Sequence, residues 1–457
     1  MRLATLLGPD LKAALEQDPE ALKEALQDFH EEDVAEILEG LEDEQALALM
    51  RILPADVAAA VLERLPTERR IEIFEDLDRD RAVEVFSEMS PDDRVDVVQE
   101  LGEEAAEELI SDLARSEPEV AHELRELAAY APETAGGRMT TEYVALLPET
   151  KVWEAVEDVR RVGREGAEML YYVYVLGFGK KLLGVLSLRD LILSEPGQTL
   201  ADIMTEKVVT VGPLDDQEKV AQVIARYDLH AVPVVDDQHV LLGVVTVDDV
   251  VDVVIEEATE DAQLMGGVVP LEDSYFATSL PEFVWKRGAW LVLLFLGQML
   301  TATVMENNRR MLESAVELVL FVPLIIASGG NAGSQSSSLL IRALAVGEVR
   351  PADWWKVLLR ELGVGISLGI GLGLLGFVRA VLTGHEIEPL RLAGAVAASI
   401  VSVVTLASMV GSLLPMLIKR LGLDPAVSST PFIASVTDVF GLVVYFQVAR
   451  AVLDIAR

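Results

Sequence analysis

One carboxylate stands where carboxylates are rarely found. Asp438 lies in the run STPFIASVTDVFGLVVYF, about 8 residues into an apolar segment read as 431–453. At 1.5 Å per helical residue that is roughly 12 Å into a bilayer. A second apolar segment, 315–342, contains VPLIIASGGNAGSQSSSLLIRAL, where Ser328, Asn331, Ser334, Gln335, Ser336, Ser337 and Ser338 are too many polar groups for a lipid-facing helix. Its polar run begins about 10 residues from its cytosolic end, so both features meet at similar depth. Polar groups inside a membrane are costly and usually functional. A carboxylate beside hydroxyls and amides at one depth fits a cation path. Two alternatives stand beside it: small residues that only let helices pack closely, and a protonated or hydrogen-bonded Asp. No Lys or Arg inside the segments offers Asp438 an ion pair, since Lys419 and Arg420 sit at the membrane edge.

The donor set narrows the ion. Mg²⁺ sheds its waters reluctantly and suits few carboxylates among many neutral oxygens, whereas a Ca²⁺ cage needs more direct carboxylates. Soft metals recruit Met, Cys or His. The chain has no cysteine, and its one histidine in the membrane half, His385, falls in an outer loop. One Asp per chain is thin for a divalent ion. A two-fold dimer, the commonest closed assembly, would supply two.

Five apolar runs are long enough to span a bilayer: 287–307, 315–342, 355–382, 391–418 and 431–453. Ahead of them the composition changes. Residues 1–281 carry 64 acidic and 23 basic side chains, and residues 282–457 carry 12 and 14. So acidic a first part excludes nucleic-acid binding, which needs Lys and Arg against phosphate. Its opening, MRLATLLGPDLKAALEQDPE, has no long apolar core after its charges. The expectation is a cytosolic N-terminal part, five spans in the cell membrane and a C-terminus outside.

Within the acidic part, Phe29, Leu41, Leu53, Leu65, Leu77, Met89, Leu101 and Leu113 recur every 12 residues. Pro or an acidic residue usually follows, as helix starts require. Short helices at fixed spacing must stack to bury a face, which predicts an all-α superhelical solenoid over roughly 5–130. From Met139 strands and helices alternate. Two copies end alike, as Gly184-Val185-Leu186-Ser187-Leu188-Arg189-Asp190 and Gly243-Val244-Val245-Thr246-Val247-Asp248-Asp249. They resemble a pair of cystathionine-β-synthase (CBS) domains. That likeness implies that Ser187 with Asp190, or Thr246 with Asp249, can hold a ribose. ATP as a regulator is one reading, and a purely dimerising body is the other. Gly177-Phe178-Gly179-Lys180 lacks the spacing of a phosphate loop.

With solenoid, CBS pair, connecting stretch and five spans in this order, the chain resembles the MgtE family of Mg²⁺ channels. The motifs GGNAGSQ (329–335), LGLDPA (421–426) and TDVFGL (437–442) carry the likeness. It implies a fold of α-helical N-domain (1–130), α+β tandem CBS domains (131–255), a connecting or plug helix region (256–286) and a five-helix transmembrane pore domain (287–457). It implies a homodimer whose pore is lined by Gly330, Asn331, Ser334, Thr430, Ala434 and Asp438. It implies that Asp92 and Asp96 bind cytosolic Mg²⁺ together with Asp249. Similarly placed acids are Asp228, Asp252, Glu257, Glu260, Asp261 and Asp424. Family members often have Asn where this chain has Ser334 and Thr430, and Gly at Ala327, so selectivity against Mn²⁺ or Co²⁺ stays open.

Physics agrees with a sensing role for the acidic helix. Asp249 and Asp252 lie three apart on one face, followed by Glu256, Glu257, Glu260 and Asp261. Two carboxylates roughly 6 Å apart repel by about 2–3 kcal/mol at an effective dielectric near 20. Bridging divalent ions would relieve that repulsion; a solvated acidic face is the alternative. For the whole chain the competing functions are an ion-coupled secondary transporter and a membrane-anchored Mg²⁺ sensor or scaffold without flux. No nucleophile–base pair stands out among five scattered histidines, so an enzyme is not expected.

Overall fold

The twelve-residue rhythm closes helices. In the computed structural model, which describes residues 22, 23, 26, 29–164, 171–271, 275, 276, 278–383 and 388–453, eight helices fill the first part. They are α1 (Glu31–Glu39), α2 (Asp43–Ile52), α3 (Ala55–Glu63), α4 (Thr67–Asp76), α5 (Arg79–Glu88), α6 (Pro91–Glu100), α7 (Glu103–Ser116) and α8 (Pro118–Leu127). Leu53, Leu77, Met89 and Leu101 each sit at a C-cap in extended conformation. Pro54, Pro66, Asp78 and Ser90 then open the next helix. The repeating apolar residues from Leu41 to Leu113 are buried, while Phe29 is exposed. A fully buried Leu contributes about 1.5–3 kcal/mol over an exposed one, so the repeat is the core.

Helices pack on their second neighbours, α1 on α3, α3 on α5 and α5 on α7, with α2, α4, α6 and α8 in a second row. Arg70 of α4 donates from Nε to Glu100 of α6 at 3.0 Å and also from Nη2, stitching that row. The part of the expected solenoid before residue 29, His385, Arg457, and Ser274 and Ala277 of the connecting stretch lie outside the described residues, save Leu22, Lys23 and Leu26.

The α+β pair follows. β1 (Val144–Leu146) runs parallel to β2 (Tyr172–Leu176), which pairs antiparallel with β3 (Leu182–Ser187). Helices α9 (Val152–Arg164), α10 (Leu188–Leu193) and α11 (Leu200–Ile203) accompany them. In the second copy, α12 (Gln217–Tyr227) precedes the antiparallel pair β4 (Ala231–Val235) and β5 (Leu241–Thr246). Its counterpart of β1 contracts to one parallel bridge, Val211 to Val234. The strand–Gly–strand signature has a steric cause: a Cβ at Gly184 would meet Met204 Sδ at 2.6 Å, and one at Gly243 would meet the Thr140 carbonyl at 2.8 Å. Helix α13 (Val247–Met265) continues directly from β5.

The chain divides into two compact units, 1–255 and 256–457. The second holds five helices long and apolar enough to cross a membrane: α14 (Leu280–Asn307), α16 (Val322–Ala345), α17 (Trp354–Thr383), α18 (Pro389–Arg420) and α19 (Thr430–Leu453), with a short α15 (Arg309–Ser314) after the first. The first begins seven residues before the expected 287, because Ser279 and Pro281 supply its start. Its opening turns therefore absorb the end of the stretch read as a connector. Gly365, Gly369 and Gly373 of α17 lie so close to α18 that a Cβ on each would fall 2.8–3.1 Å from that helix's backbone. Helix α18 packs on α16, α17 and α19, whereas α14 rests mainly on α19.

Candidate functional site

Two groups of acidic chemistry emerge, one in each unit. In the membrane unit α19 starts at Thr430, with Ser429 Oγ accepting from the Phe432 N–H at 3.3 Å. Two turns on, Asp438 is buried with 9% of its surface exposed. Gly330 of α16 faces it: a Cβ built there would stand 3.6 Å from Asp438 Oδ1 and 3.7 Å from Ala434 Cβ. Gly330 thus leaves a methyl-sized space beside the carboxylate. At the start of α19 Ser334 Oγ reaches the Thr430 carbonyl at 3.4 Å, a long hydrogen bond. Asn331 is exposed beside Gly330.

The polar run of α16 does not act as a block. Ser328 donates to the Leu324 carbonyl at 2.7 Å, and Ser336 to Glu361 Oε2 of α17 at 2.8 Å. Thr437 spends its hydroxyl on its own helix, at Ile433 and Ala434. Gly330, Ala434 and Asp438 are brought together, with Ser334 and Thr430 meeting a turn or two away. Sequence reasoning missed two residues here. Gln298 of α14 donates from Nε2 to Asp438 Oδ2 at 2.9 Å, and Glu361 is a second carboxylate within a span. Each was visible as a polar residue in an apolar run, Gln298 in WLVLLFLGQML.

In the first unit, α6 carries Asp92, Asp93 and Asp96 in its first two turns. Ser90 caps this helix: its Oγ accepts from the Asp93 N–H at 3.3 Å and donates to Asp93 Oδ2 at 2.7 Å. Thr140, fastened to β5 through both backbone bonds with Val244, hydrogen-bonds to Asp92. Because α13 leaves β5 at once, Asp248 and Asp249 arrive at the same place; Thr246 Oγ1 donates to Asp249 Oδ2 at 2.6 Å.

Crowding shifts these acids upward. Burial, then the Asp92 charge, push Asp249 up to about 7. Burial raises Asp96 to about 6 even though the Arg138 and Arg70 charges oppose it. Asp92 is raised by burial with a smaller push from Asp248, and Asp93 well above the usual range by burial, Asp92 and Glu63. Asp92 Oδ1 is buried without a hydrogen-bond partner. Together they make a cluster in which burial and mutual repulsion disfavour full ionisation.

This donor set fits a hydrated Mg²⁺, which takes one or two carboxylate oxygens and keeps several waters. Among the described residues no three acidic or histidine side chains converge closely enough to enclose a metal, so water would complete any coordination.

The remaining acids scatter. Asp228 caps α12 in the left-handed region, φ 51°, a conformation Asp tolerates. Asp252 is exposed on α13, and Glu257, Glu260 and Asp261 lie farther along that helix. Asp424 accepts from the Ala426 N–H at 2.8 Å and caps a short turn. Ser187 and Asp190 close a capping box at the start of α10, with Ser187 Oγ donating to Asp190 Oδ2 at 2.6 Å. Thr246 and Asp249 repeat the pair. Sequence reasoning also missed an aromatic stack between the two copies, Tyr171 on His230 at 5.0 Å.

Comparison with known proteins covers both units. Residues 322–448 match MgtE, described as a divalent cation transporter, residues 29–133 its intracellular N domain, and 135–196 and 200–256 CBS domains. The magnesium transporter MgtE of Thermus thermophilus is 42% identical over 339 residues, 74% of each chain. Among solved structures, the cytosolic domain of the Mg²⁺ channel MgtE in complex with ATP matches with a TM-score of 0.51 and 39% identity, covering 55% of this chain and all of that one. The soluble part of a magnesium transporter matches with a TM-score of 0.52 and 32% identity, covering 56% and 99%.

Proposed function

The chain belongs to the MgtE family of divalent cation transporters, and from that premise we propose that it is a Mg²⁺-selective channel for uptake, closed by cytosolic Mg²⁺. The observation that carries the reading is Asp438, buried in a span beside the bare backbone at Gly330. A homodimer in the cell membrane, with the acidic domains cytosolic and the C-terminus outside, would place two such carboxylates on one path. Gly330, Asn331, Ser334, Thr430 and Ala434 would offer the neutral oxygens and the room that a hydrated ion needs. Purified protein in liposomes tests this: Mg²⁺ entry should follow the Mg²⁺ electrochemical gradient alone. Entry that requires a pH gradient would identify a coupled transporter, and no entry a sensor or scaffold.

The regulatory ion would be held by Asp92, Asp96 and Asp249, which carry the orphaned Oδ1 and the raised carboxyls. Asp228, Asp252, Glu257, Glu260, Asp261 and Asp424 are further candidates, Asp424 the weakest since it already serves a turn. A raised carboxyl stabilises the fold while protonated. That contribution is complete below about pH 4 and is lost as pH rises through about 6 for Asp96 and 7 for Asp249. Without divalent ions, the soluble part should melt several degrees higher near pH 5 than near pH 8, and Mg²⁺ should raise the melting point chiefly near pH 8. Asp92→Asn should flatten both trends. A profile indifferent to Mg²⁺ at high pH would remove the cluster as a cation site.

ATP is the proposed second regulator, bound through Ser187 and Asp190 or Thr246 and Asp249, with the Tyr171–His230 stack as a platform for the base. The ATP complex of the related cytosolic domain supports this. Calorimetry on the soluble part should show binding below millimolar ATP, weakened about tenfold by Asp190→Ala if that pair holds the ribose. No heat at millimolar ATP would leave the CBS pair purely structural.

A further inference from the structure

Helix α14 is apolar from Leu291 to Leu300 except at one side chain, Gln298. That side chain is spent on the single deep carboxylate of the pore helix, Nε2 donating to Asp438 Oδ2 at 2.9 Å. The approach is arranged by neighbours. A Cβ on Gly297 would meet Ser435 Cβ at 3.8 Å and no other heavy atom within 4 Å. Ser435 precedes Asp438 by three residues, about one helical turn, so α14 meets α19 beside the hydrogen bond as well as at it. Three residues beyond Gln298, on the same helix face, Thr301 is buried with its hydroxyl unpartnered. Gln298 and Thr301 thus put two polar groups on one face of the span, among the largely exposed apolar residues Leu291 to Leu300.

We propose that Gln298 is a positioning residue that sets which cation the pore accepts, an inference that rests on Asp438 lining the ion path. The amide occupies Oδ2 and fixes the carboxylate rotamer, leaving Oδ1 on the side of Gly330. A carboxylate with one oxygen taken can grip a cation only through the other. Ca²⁺ commonly takes both oxygens of a carboxylate, whereas Mg²⁺ accepts one, or a water bound to it. Gln298 thereby disfavours the bidentate grip of the larger ion while leaving a hydrated Mg²⁺ its single contact.

The test compares Mg²⁺ and Ca²⁺ entry into liposomes carrying full-length wild type, Gln298→Met, Gln298→Asn and Asp438→Ala. Methionine keeps the length and removes the donor; asparagine keeps an amide too short to reach. Both should raise the ratio of Ca²⁺ to Mg²⁺ entry about tenfold, since each frees Oδ2 for bidentate binding. An equal fall for both ions marks a merely structural amide and overturns the proposal, as does an unchanged ratio in both variants. If Asp438→Ala itself conducts like wild type, the pore reading fails. If it is inactive while both Gln298 variants match wild type, only the role of Gln298 fails.

Discussion

Asp438→Ala is expected to reduce Mg²⁺ uptake at least about 100-fold, some 2.7 kcal/mol of barrier, while the protein remains folded. The carboxylate is the one acidic group of α19 and faces the glycine of α16 at 3.6 Å from a would-be Cβ. Removing it leaves a divalent ion crossing a low-dielectric region with neutral oxygens alone, where charge is expensive. The substitution also removes the acceptor of the Gln298 amide, so Asp438→Asn, which keeps an acceptor oxygen, serves as the gentler companion. Flux from a fluorescent Mg²⁺ reporter in liposomes, with matched melting curves, reads the result. Wild-type uptake by the alanine variant would make Asp438 an internal hydrogen-bond acceptor for Gln298 and nothing more.

Neutralising Asp92, Asp249 and Asp252 together is expected to leave conduction intact and abolish closure by cytosolic Mg²⁺. The first unit carries the chain's excess acidity, and its carboxyls at α6 and the start of α13 are pushed upward by burial and then by one another's charge. Bridging ions would hold these segments together when internal Mg²⁺ is high. Swinging a gate from mostly open to mostly shut requires about 5.5 kcal/mol of differential binding, and a few ions coupling by about 1–3 kcal/mol each supply it. The inhibitory Mg²⁺ concentration in patch recordings should rise at least about tenfold, or about 1.4 kcal/mol. Closure of the triple variant at the wild-type concentration would refute the mechanism and return the cluster to an acidic surface.

Much of this architecture is legible from residue spacing. The leucines of the repeat announce helices because each must bury the same apolar position, and spans announce themselves by length alone. The matched Gly184 and Gly243 reveal the CBS pair because Met204 at one and the Thr140 carbonyl at the other pack where a side chain would stand. What escaped depends on how helices are rotated against one another. A lone Gln298 in an apolar run does not say which neighbour it meets; the packing of α14 on α19 decides that. Asp93 likewise reads as another surface acid until Ser90 is seen capping its helix and Asp92 crowding it. The β1 counterpart shortens in the second copy although both copies place a proline two residues on, Pro148 and Pro213, so the difference does not lie in that residue.

The two rows of the solenoid impose a parity on the chain. Because α2, α4, α6 and α8 line one row and α1, α3, α5 and α7 the other, one twelve-residue unit is only half a structural period. Deleting or inserting a single unit ahead of α6 would transfer that helix to the opposite row and swing Asp92 away from Thr140 and Asp249. Deleting or inserting two would return it to the same side. Relatives that differ in the length of this region should therefore differ by even numbers of units, wherever the cluster at α6 is kept.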